Sequence, residues 1–240
     1  MATAFPNHKA PRNKSFLLAL DRDLPHVPRI MQLQTKICGL SNSETVDAAV
    51  AGGAAWLGFV FYPKSPRDLS TEQAASLIAR TPAGVGKVAV LVDPDDALVE
   101  RVVATGVTAL QLHGSESPTR LAELRRHGLA LWKAVPVRTR ADLDGARAYR
   151  GAADRIVYDA QTPTGTLPGG MGLRFDWRLL DGFVHPLPWA LSGGLDAANI
   201  ADAARSTGAR VIDVSSGVES APGVKDVDKI TAFLQAAAHL

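Results

Sequence analysis

Residues 189–217 read WALSGGLDAANIADAARSTGARVIDVSSG, and they contain two short apolar runs separated by a segment with helical periodicity. The first run, 189–191, is followed by a serine and two glycines, and the second, 211–215, ends next to a serine and a glycine. Between them, the apolar residues of 197–206 recur at helical spacing, and Gly208 follows where a helix usually ends. The stretch therefore predicts a strand–helix–strand unit of the kind that builds parallel sheets.

The same alternation runs from residue 31 to the C-terminus and predicts eight strands, each followed by a helix. The predicted strands are 34–38, 56–61, 87–92, 109–113, 130–135, 155–159, 189–191 and 211–215. The predicted helices are 43–51, 71–79, 95–104, 118–127, 140–149, 177–181, 197–206 and 226–238. Eight such units predict one closed (β/α)8 TIM barrel. A doubly wound open sheet is the alternative, but 38–42 (CGLSN) lack the glycine-rich turn usual after its first strand.

Composition excludes several classes of protein. Of the 240 residues, 46% are hydrophobic and 21% are charged, which is typical of a soluble globular chain. No apolar run approaches the ~20 residues of a membrane span, so we expect no membrane association. The single cysteine, Cys38, excludes an intrachain disulfide framework and a cysteine-based zinc cluster, and it fits a reducing, cytoplasmic compartment.

Residues 1–30 differ from the rest of the chain. They contain four prolines, five Lys/Arg and two Asp, with no clean periodicity, and so carry a net charge of +3. The remaining residues carry +2 − 3 = −1, which gives no argument for nucleic acid binding. We predict that 1–30 form a disordered, dispensable extension or follow a mis-assigned start, and that 31–240 are the catalytic barrel. Alternatively, 16–20 form a short helix that closes the amino-terminal end of the barrel.

Polar or small residues follow six of the eight predicted strands, at the face where barrel active sites lie. Residues two apart on a strand share a face, so Lys36 and Cys38 point the same way, as do Gln111 and His113. Because strand eight neighbours strand one in a closed barrel, Asp213 is placed to meet Lys36. We expect this pair either to give Cys38 an electropositive environment or to be purely structural.

The loops after the seventh and eighth predicted strands are rich in glycine and serine. Barrels often bind phosphate there, because glycine lets the backbone approach an anion and donate its N–H groups. The glycines could instead simply end the strands, but two such loops at the two expected places favour phosphate. The candidate phosphate-binding residues are Ser192, Gly193, Gly194, Ser215, Ser216 and Gly217.

Cys38 and Asp159 are candidates for moving protons. A nearby cation would lower the pKa of the Cys38 thiol from ~8.5 towards neutrality, and the glycine-rich loop after Asp159 could cover that carboxyl group. A base and an acid at a barrel mouth suit proton transfer next to a carbonyl or imine. The simpler alternatives are a buried cysteine and a loop-capping aspartate. His113 stands alone at its strand end, so a metal site is not expected, and no nicotinamide or flavin fingerprint is present.

Six ordered blocks resemble those of the phosphoribosylanthranilate isomerase family of tryptophan biosynthesis, from about Met31 to the C-terminus. They are 36–39 (KICG), 58–67 (GFVFYPKSPR), 111–114 (QLHG), 175–177 (FDW), 191–195 (LSGGL) and 213–219 (DVSSGVE), followed by 222–223 (PG) and 225–226 (KD). The resemblance implies an Amadori rearrangement of N-(5′-phosphoribosyl)anthranilate to 1-(2-carboxyphenylamino)-1-deoxyribulose 5-phosphate. It implies neither a cofactor nor a metal.

The resemblance also implies roles for individual residues. Asp159 would be the general acid that opens the furanose ring, and Cys38 would be the general base that removes the C2′ proton. Arg67 would hold the anthranilate carboxylate, for which its planar fork is suited, and His113 would line the same mouth. The expected partner is the small phosphoribosyl substrate, and the choice between monomer and homodimer stays open.

Two departures from the family pattern occur in the loop after strand six. Met171 stands where a hydroxyl residue is usual, and Leu173 stands where a lysine is usual. Three other interpretations fit these residues less well. A histidine-pathway isomerase would have an aspartate in place of Cys38, a phosphopentose epimerase would need metal-ligating residues at several strand ends, and a phosphoribosyl-binding module would not need Cys38 and Asp159 together.

Overall fold

The computed structural model describes Met1, residues 33–163, Thr166 and residues 169–240. The predictions for residues 1–30 concern, apart from Met1, positions outside this description. Eight parallel strands follow one another around a closed barrel, which confirms the predicted fold class. They are β1 (Gln34–Cys38), β2 (Trp56–Phe61), β3 (Gly86–Leu91), β4 (Ala109–Leu112), β5 (Ala130–Val137), β6 (Arg155–Ala160), β7 (Trp189–Leu191) and β8 (Val211–Val214).

Helices cover the outside of the barrel. The α-helices are α1 (Ser43–Ala51), α2 (Thr71–Arg80), α3 (Asp96–Val103), α4 (Pro118–Leu124), α5 (Ile200–Thr207) and α6 (Val227–Ala238). No helix among the described residues is long and apolar enough to cross a membrane. Short 3₁₀ helices lie at Arg125–His127, Arg140–Tyr149, Trp177–Leu180 and Ser216–Val218.

Two predicted helices need correction, and one hairpin is additional to the predicted elements. The segment 140–149 forms a 3₁₀ helix rather than an α-helix, and Gly145 in its middle is a poor residue for a helix interior. The segment Trp177–Leu180 is also 3₁₀ and is only four residues long. An antiparallel hairpin, β9 (Glu219–Ala221) and β10 (Val224–Lys225), follows β8 and was not predicted.

Side-chain caps determine where several helices begin. Ser70 Oγ accepts from the backbone N–H of Gln73 at 3.2 Å, and Gln73 Oε1 accepts from the backbone N–H of Ser70 at 2.9 Å. This reciprocal pair satisfies N–H groups that the first turn leaves unpaired. Asn42 caps α1 in a similar way, accepting from the N–H of Thr45 at 2.9 Å. These two caps end the loops before α1 and α2 at definite residues.

Apolar side chains fill the barrel on both sides of its wall. A large outer cluster packs the strands against the helices, and a smaller inner cluster contains Val88, Trp132 and Val157. At the amino-terminal end, the Arg155 guanidinium lies 5.0 Å from the ring centre of Trp56 and 4.8 Å from that of Trp132. These groups fill the interior at the amino-terminal end of the barrel. The polar side chains inside the barrel therefore gather at its carboxyl end, where a site can form.

Strand register brings the polar residues of distant strands together. Lys36 of β1 pairs with Asp213 of β8, and Cys38 pairs with Gly58 of β2. Register partners on neighbouring parallel strands lie side by side and present the same face of the sheet. The register therefore places Lys36 and Asp213 side by side inside the barrel.

Candidate active site

The candidate site residues gather at the carboxyl end of the barrel, as predicted. One cavity, the main cavity, is lined by Cys38, Arg67, His113 and Asp159 together with Ser192 and Ser215. An adjoining hollow, the side hollow, shares Asp159 with the main cavity and adds Gly193, Gly194 and Ser216. Of the candidate residues, Gly217 lines neither space.

Lys36 and Asp213 form the buried ion pair that parity predicted. Lys36 Nζ lies 3.0 Å from both Asp213 carboxylate oxygens, and both side chains are almost fully buried. Gly58 leaves the room for them, because a Cβ at that position would lie 2.8 Å from Cys38 Sγ and 3.1 Å from Lys36 Nζ. The pair thus lies directly beneath the Cys38 thiol.

The electrostatic effect on Cys38 differs from the expectation. Burial lowers the pKa of Lys36, but the Asp213 carboxylate and Cys38 outweigh it and leave that pKa above its usual value. Lys36 is therefore a cation next to the thiol. Burial nevertheless raises the pKa of Cys38 above its ordinary value, with Asp213 adding to the effect and Lys36 opposing it. The predicted net lowering is wrong, because loss of solvation outweighs the nearby ammonium.

Asp159 is held through both of its oxygens. Oδ1 accepts from the backbone N–H of Ala160 at 2.9 Å, and Oδ2 lies 3.2 Å from Nε2 of His113. Nδ1 of the same ring lies 3.1 Å from Nε2 of Gln111. When the Gln111 amide donates to Nδ1, the ring proton is on Nε2 and is donated to Asp159. His113 therefore orients the carboxyl group in addition to lining the mouth.

Gly169, in the glycine-rich segment after β6, lies directly against Asp159. A Cβ on Gly169 would lie 2.6 Å from Asp159 Oδ2 and 3.0 Å from His113 Nε2, so only glycine permits this approach. Met171 and Leu173, the two departures from the family pattern, are 46% and 40% exposed and line the side hollow. A Cβ on Gly194 would lie 2.8 Å from Arg174 Cβ and 3.0 Å from the carbonyl oxygen of Leu173, so this loop approaches Gly194 closely.

The loops after β7 and β8 pack directly against each other. A Cβ on Gly217 would lie only 1.8 Å from the carbonyl oxygen of Leu195, so Gly217 acts by close packing. Gly193 has a φ of +91°, and a Cβ there would lie 2.8 Å from the backbone nitrogen of Ala160. The Ser215 hydroxyl donates to the carbonyl oxygen of Cys38 at 3.2 Å. These contacts hold the two loops that line the side hollow against β1 and β6.

Arg67 is more constrained than its sequence position indicated. Its Nε and Nη2 each lie 2.7 Å from a different carboxylate oxygen of Glu219, and Nη2 also donates to the carbonyl oxygen of Gly170 at 3.0 Å. Lys225 Nζ donates to Glu219 Oε1 and to the carbonyl oxygen of Ser215. Sequence reasoning gave Glu219 and Lys225 no role. The Pro-Gly turn between these two residues is typical of a tight hairpin, and it was the sequence feature that could have indicated their pairing.

The comparisons with known proteins agree with this geometry. The family model described as N-(5′-phosphoribosyl)anthranilate (PRA) isomerase matches residues 35–236. An N-(5′-phosphoribosyl)anthranilate isomerase from Zymomonas mobilis subsp. pomaceae is 58% identical over 208 residues, which cover 86% of this chain and 98% of that protein. The chain belongs to the N-(5′-phosphoribosyl)anthranilate isomerase family. The resemblance carried by the six sequence blocks is confirmed, and the chain is an isomerase of tryptophan biosynthesis.

Solved structures of the family have the same fold. The phosphoribosyl anthranilate isomerase of Thermotoga maritima is 34% identical with a TM-score of 0.79, over 87% of this chain and 100% of that one. A second family structure, 33% identical with a TM-score of 0.76 over the same shares, is a complex with reduced 1-(o-carboxyphenylamino)-1-deoxyribulose 5-phosphate. That protein therefore binds a small phosphorylated molecule.

Proposed function

We propose that this chain converts N-(5′-phosphoribosyl)anthranilate to 1-(2-carboxyphenylamino)-1-deoxyribulose 5-phosphate, with Asp159 as general acid and Cys38 as general base. The observation that carries the proposal is that both residues line one cavity at the carboxyl end of the barrel. Asp159 protonates the furanose ring oxygen, the C1′–O bond breaks, and the anthranilate nitrogen forms an iminium ion with C1′. Proton donation to the leaving oxygen is what a positioned carboxylic acid supplies.

Cys38 then removes the proton from C2′ as a thiolate. The C–H electron pair forms the C1′=C2′ double bond and neutralises the iminium nitrogen. The resulting enolamine tautomerises: the C2′ hydroxyl loses its proton, C1′ gains one, and the ketone results. The raised pKa of Cys38 makes its thiolate a stronger base once formed, while Lys36 offsets part of the cost of forming it.

The test is a fluorescence assay of substrate loss, because anthranilate is a fluorescent aromatic amine. The purified full chain is mixed with freshly generated N-(5′-phosphoribosyl)anthranilate, and the decay is compared with the spontaneous decay of the substrate. Conversion well above the spontaneous rate is expected. No acceleration at any enzyme concentration would contradict the proposed function.

We propose that Arg67 binds the substrate carboxylate, and replacing Arg67 with alanine is expected mainly to raise KM. A hydrogen bond to a charged group contributes about 1.5–3 kcal/mol, so KM should rise about ten- to a hundredfold. Because the carboxylate does not react, kcat should change much less. Steady-state kinetics measure both constants, and Arg80→Ala, on the exposed face of α2, is the control. An unchanged KM would place the carboxylate contact elsewhere.

We also propose that the glycine and serine loops bind the substrate phosphate in the side hollow. Inorganic phosphate should then slow alkylation of Cys38, which is the only cysteine and therefore gives an unambiguous label. The side hollow and the main cavity share Asp159, Ser192 and Ser215, so a bound anion lies close to the thiol. Mass spectrometry follows the alkylation. Equal protection by sodium chloride of the same ionic strength would argue against a phosphate site.

A further inference from the structure

The guanidinium of Arg67 is held in one plane by three hydrogen bonds. Two of them run in parallel to Glu219, each 2.7 Å long, and the third runs to the carbonyl oxygen of Gly170. A bidentate arginine–carboxylate pair fixes orientation as well as distance. The bonds use Nε and Nη2 and leave Nη1 without a partner among the described residues. The side chain itself lines the main cavity with Cys38 and Asp159.

Lys225 offsets the charge of Glu219. Its ammonium group is buried against Glu219 Oε1 and the carbonyl oxygen of Ser215. Two cations and one carboxylate give the group of Arg67, Glu219 and Lys225 a net charge of +1. If Glu219 were paired with Arg67 alone, the two charges would cancel. With Lys225 present, Arg67 keeps a positive field that favours an anion.

The hairpin that carries Glu219 turns its charged side chains inward. Glu219 and Lys225 are each 7% exposed, whereas Val224 is 55% exposed. Charged side chains are almost never fully buried unless they are paired, and these two are paired with each other and with Arg67. The turn also packs on the residue before Arg67, since a Cβ on Gly223 would lie 2.6 Å from the carbonyl oxygen of Pro66. The hairpin therefore aligns its carboxylate with Arg67 through the backbone as well.

We propose that Glu219 is a positioning residue, which fixes the guanidinium plane of Arg67 so that Nη1 meets the carboxylate of the substrate. This inference rests on the proposed function of Arg67 and adds the group that orients it. Glu219 itself does not contact the substrate. Lys225 holds the Glu219 carboxylate from its other side and is itself anchored on Ser215.

The test is Glu219→Gln, which keeps the shape of the side chain but removes its charge and one acceptor. We expect KM to rise about tenfold, the loss typical of a charge-assisted hydrogen bond, with a much smaller change in kcat. Binding of anthranilate, measured by its fluorescence, should weaken by a similar factor, whereas inhibition by inorganic phosphate should be unchanged. Ser220→Ala, on the exposed face of the same hairpin, is the control and should alter none of these.

A double-mutant cycle separates positioning from a structural role. If Glu219 acts through Arg67, adding Glu219→Gln to Arg67→Ala should raise KM no further. Equal and additive losses, or equal weakening of anthranilate and phosphate binding, would overturn the proposal. If the glutamine variant does not fold, Glu219→Asp replaces it, and a smaller rise in KM over wild type with kcat nearly unchanged is then expected. A wild-type chain that binds anthranilate but turns over no substrate would contradict the proposed function and leave the binding test of Glu219 valid.

Discussion

Replacing Cys38 with serine is expected to lower kcat at least about a hundredfold, the smaller end of what a general base contributes. A serine hydroxyl occupies nearly the same space, but it does not ionise at the pH where a thiol does. Both hydrogen bonds of the Lys36–Asp213 pair form without the sulfur, so the melting temperature should stay close to that of the unmodified chain. Steady-state fluorescence kinetics and a melting curve measure the two quantities.

Cys38→Ala extends this experiment by removing the ionisable atom altogether. Its kcat should be at least as low as that of the serine variant. Its affinity for the product analogue, reduced 1-(o-carboxyphenylamino)-1-deoxyribulose 5-phosphate, should be nearly unchanged, because the base does not hold the ligand. Turnover close to normal in either variant would remove Cys38 from the mechanism. A loss of folding in both variants would instead assign the thiol to packing beside Val60 and Val90.

The raised pKa of Cys38 predicts how its reactivity depends on pH. The thiolate is the reactive form, and burial disfavours it, so the alkylation rate of the free chain should still rise above pH ~8.5, the ordinary value for a thiol. A model thiol in the same buffers is the reference. A rate that reaches its plateau below neutral pH would mean that Lys36 outweighs burial, contrary to the direction found in the structure.

Asp159→Asn is expected to cause the second large loss, again at least about a hundredfold in kcat. An amide has nearly the same shape as the carboxyl group, and its oxygen can still accept from the backbone N–H of Ala160. It has no acidic proton for the furanose ring oxygen, so ring opening should become the slow step. Asp202→Asn, on the exposed face of α5, controls for the loss of one negative charge and should leave kcat unchanged.

The hydrogen-bond partners of Asp159 can adapt to a change in its protonation. Rotating the Gln111 amide by 180° lets its oxygen accept from Nδ1–H of His113, and Nε2 then accepts from protonated Asp159. Gln111 and His113 can thus accompany either protonation state of the acid. The Asp159→Asn variant should keep its melting temperature and its affinity for the product analogue. Normal kcat would exclude Asp159 as the acid, and weak binding with normal kcat would make it a binding group.

The sequence alone was enough to predict the barrel and the end of it at which the candidate residues lie. The alternation of short apolar runs with helical segments can be recognised within a few neighbouring residues. It placed all eight strands to within two residues at each end. The period of two along a strand placed Lys36 and Cys38 on one face, and closure of the barrel brought Asp213 to Lys36. These inferences succeeded because parallel strands impose one repeating geometry wherever they occur.

The tertiary structure decided what depends on many distant groups at once. Arg67 and Glu219 are 152 positions apart, and the hairpin that carries Glu219 lies outside the repeating strand–helix pattern. The direction of the Cys38 pKa was also out of reach, because it is the balance of burial against Lys36 and Asp213. Periodicity specifies the face on which a side chain lies, but solvation and hydrogen-bond partners arise only when the whole chain encloses it.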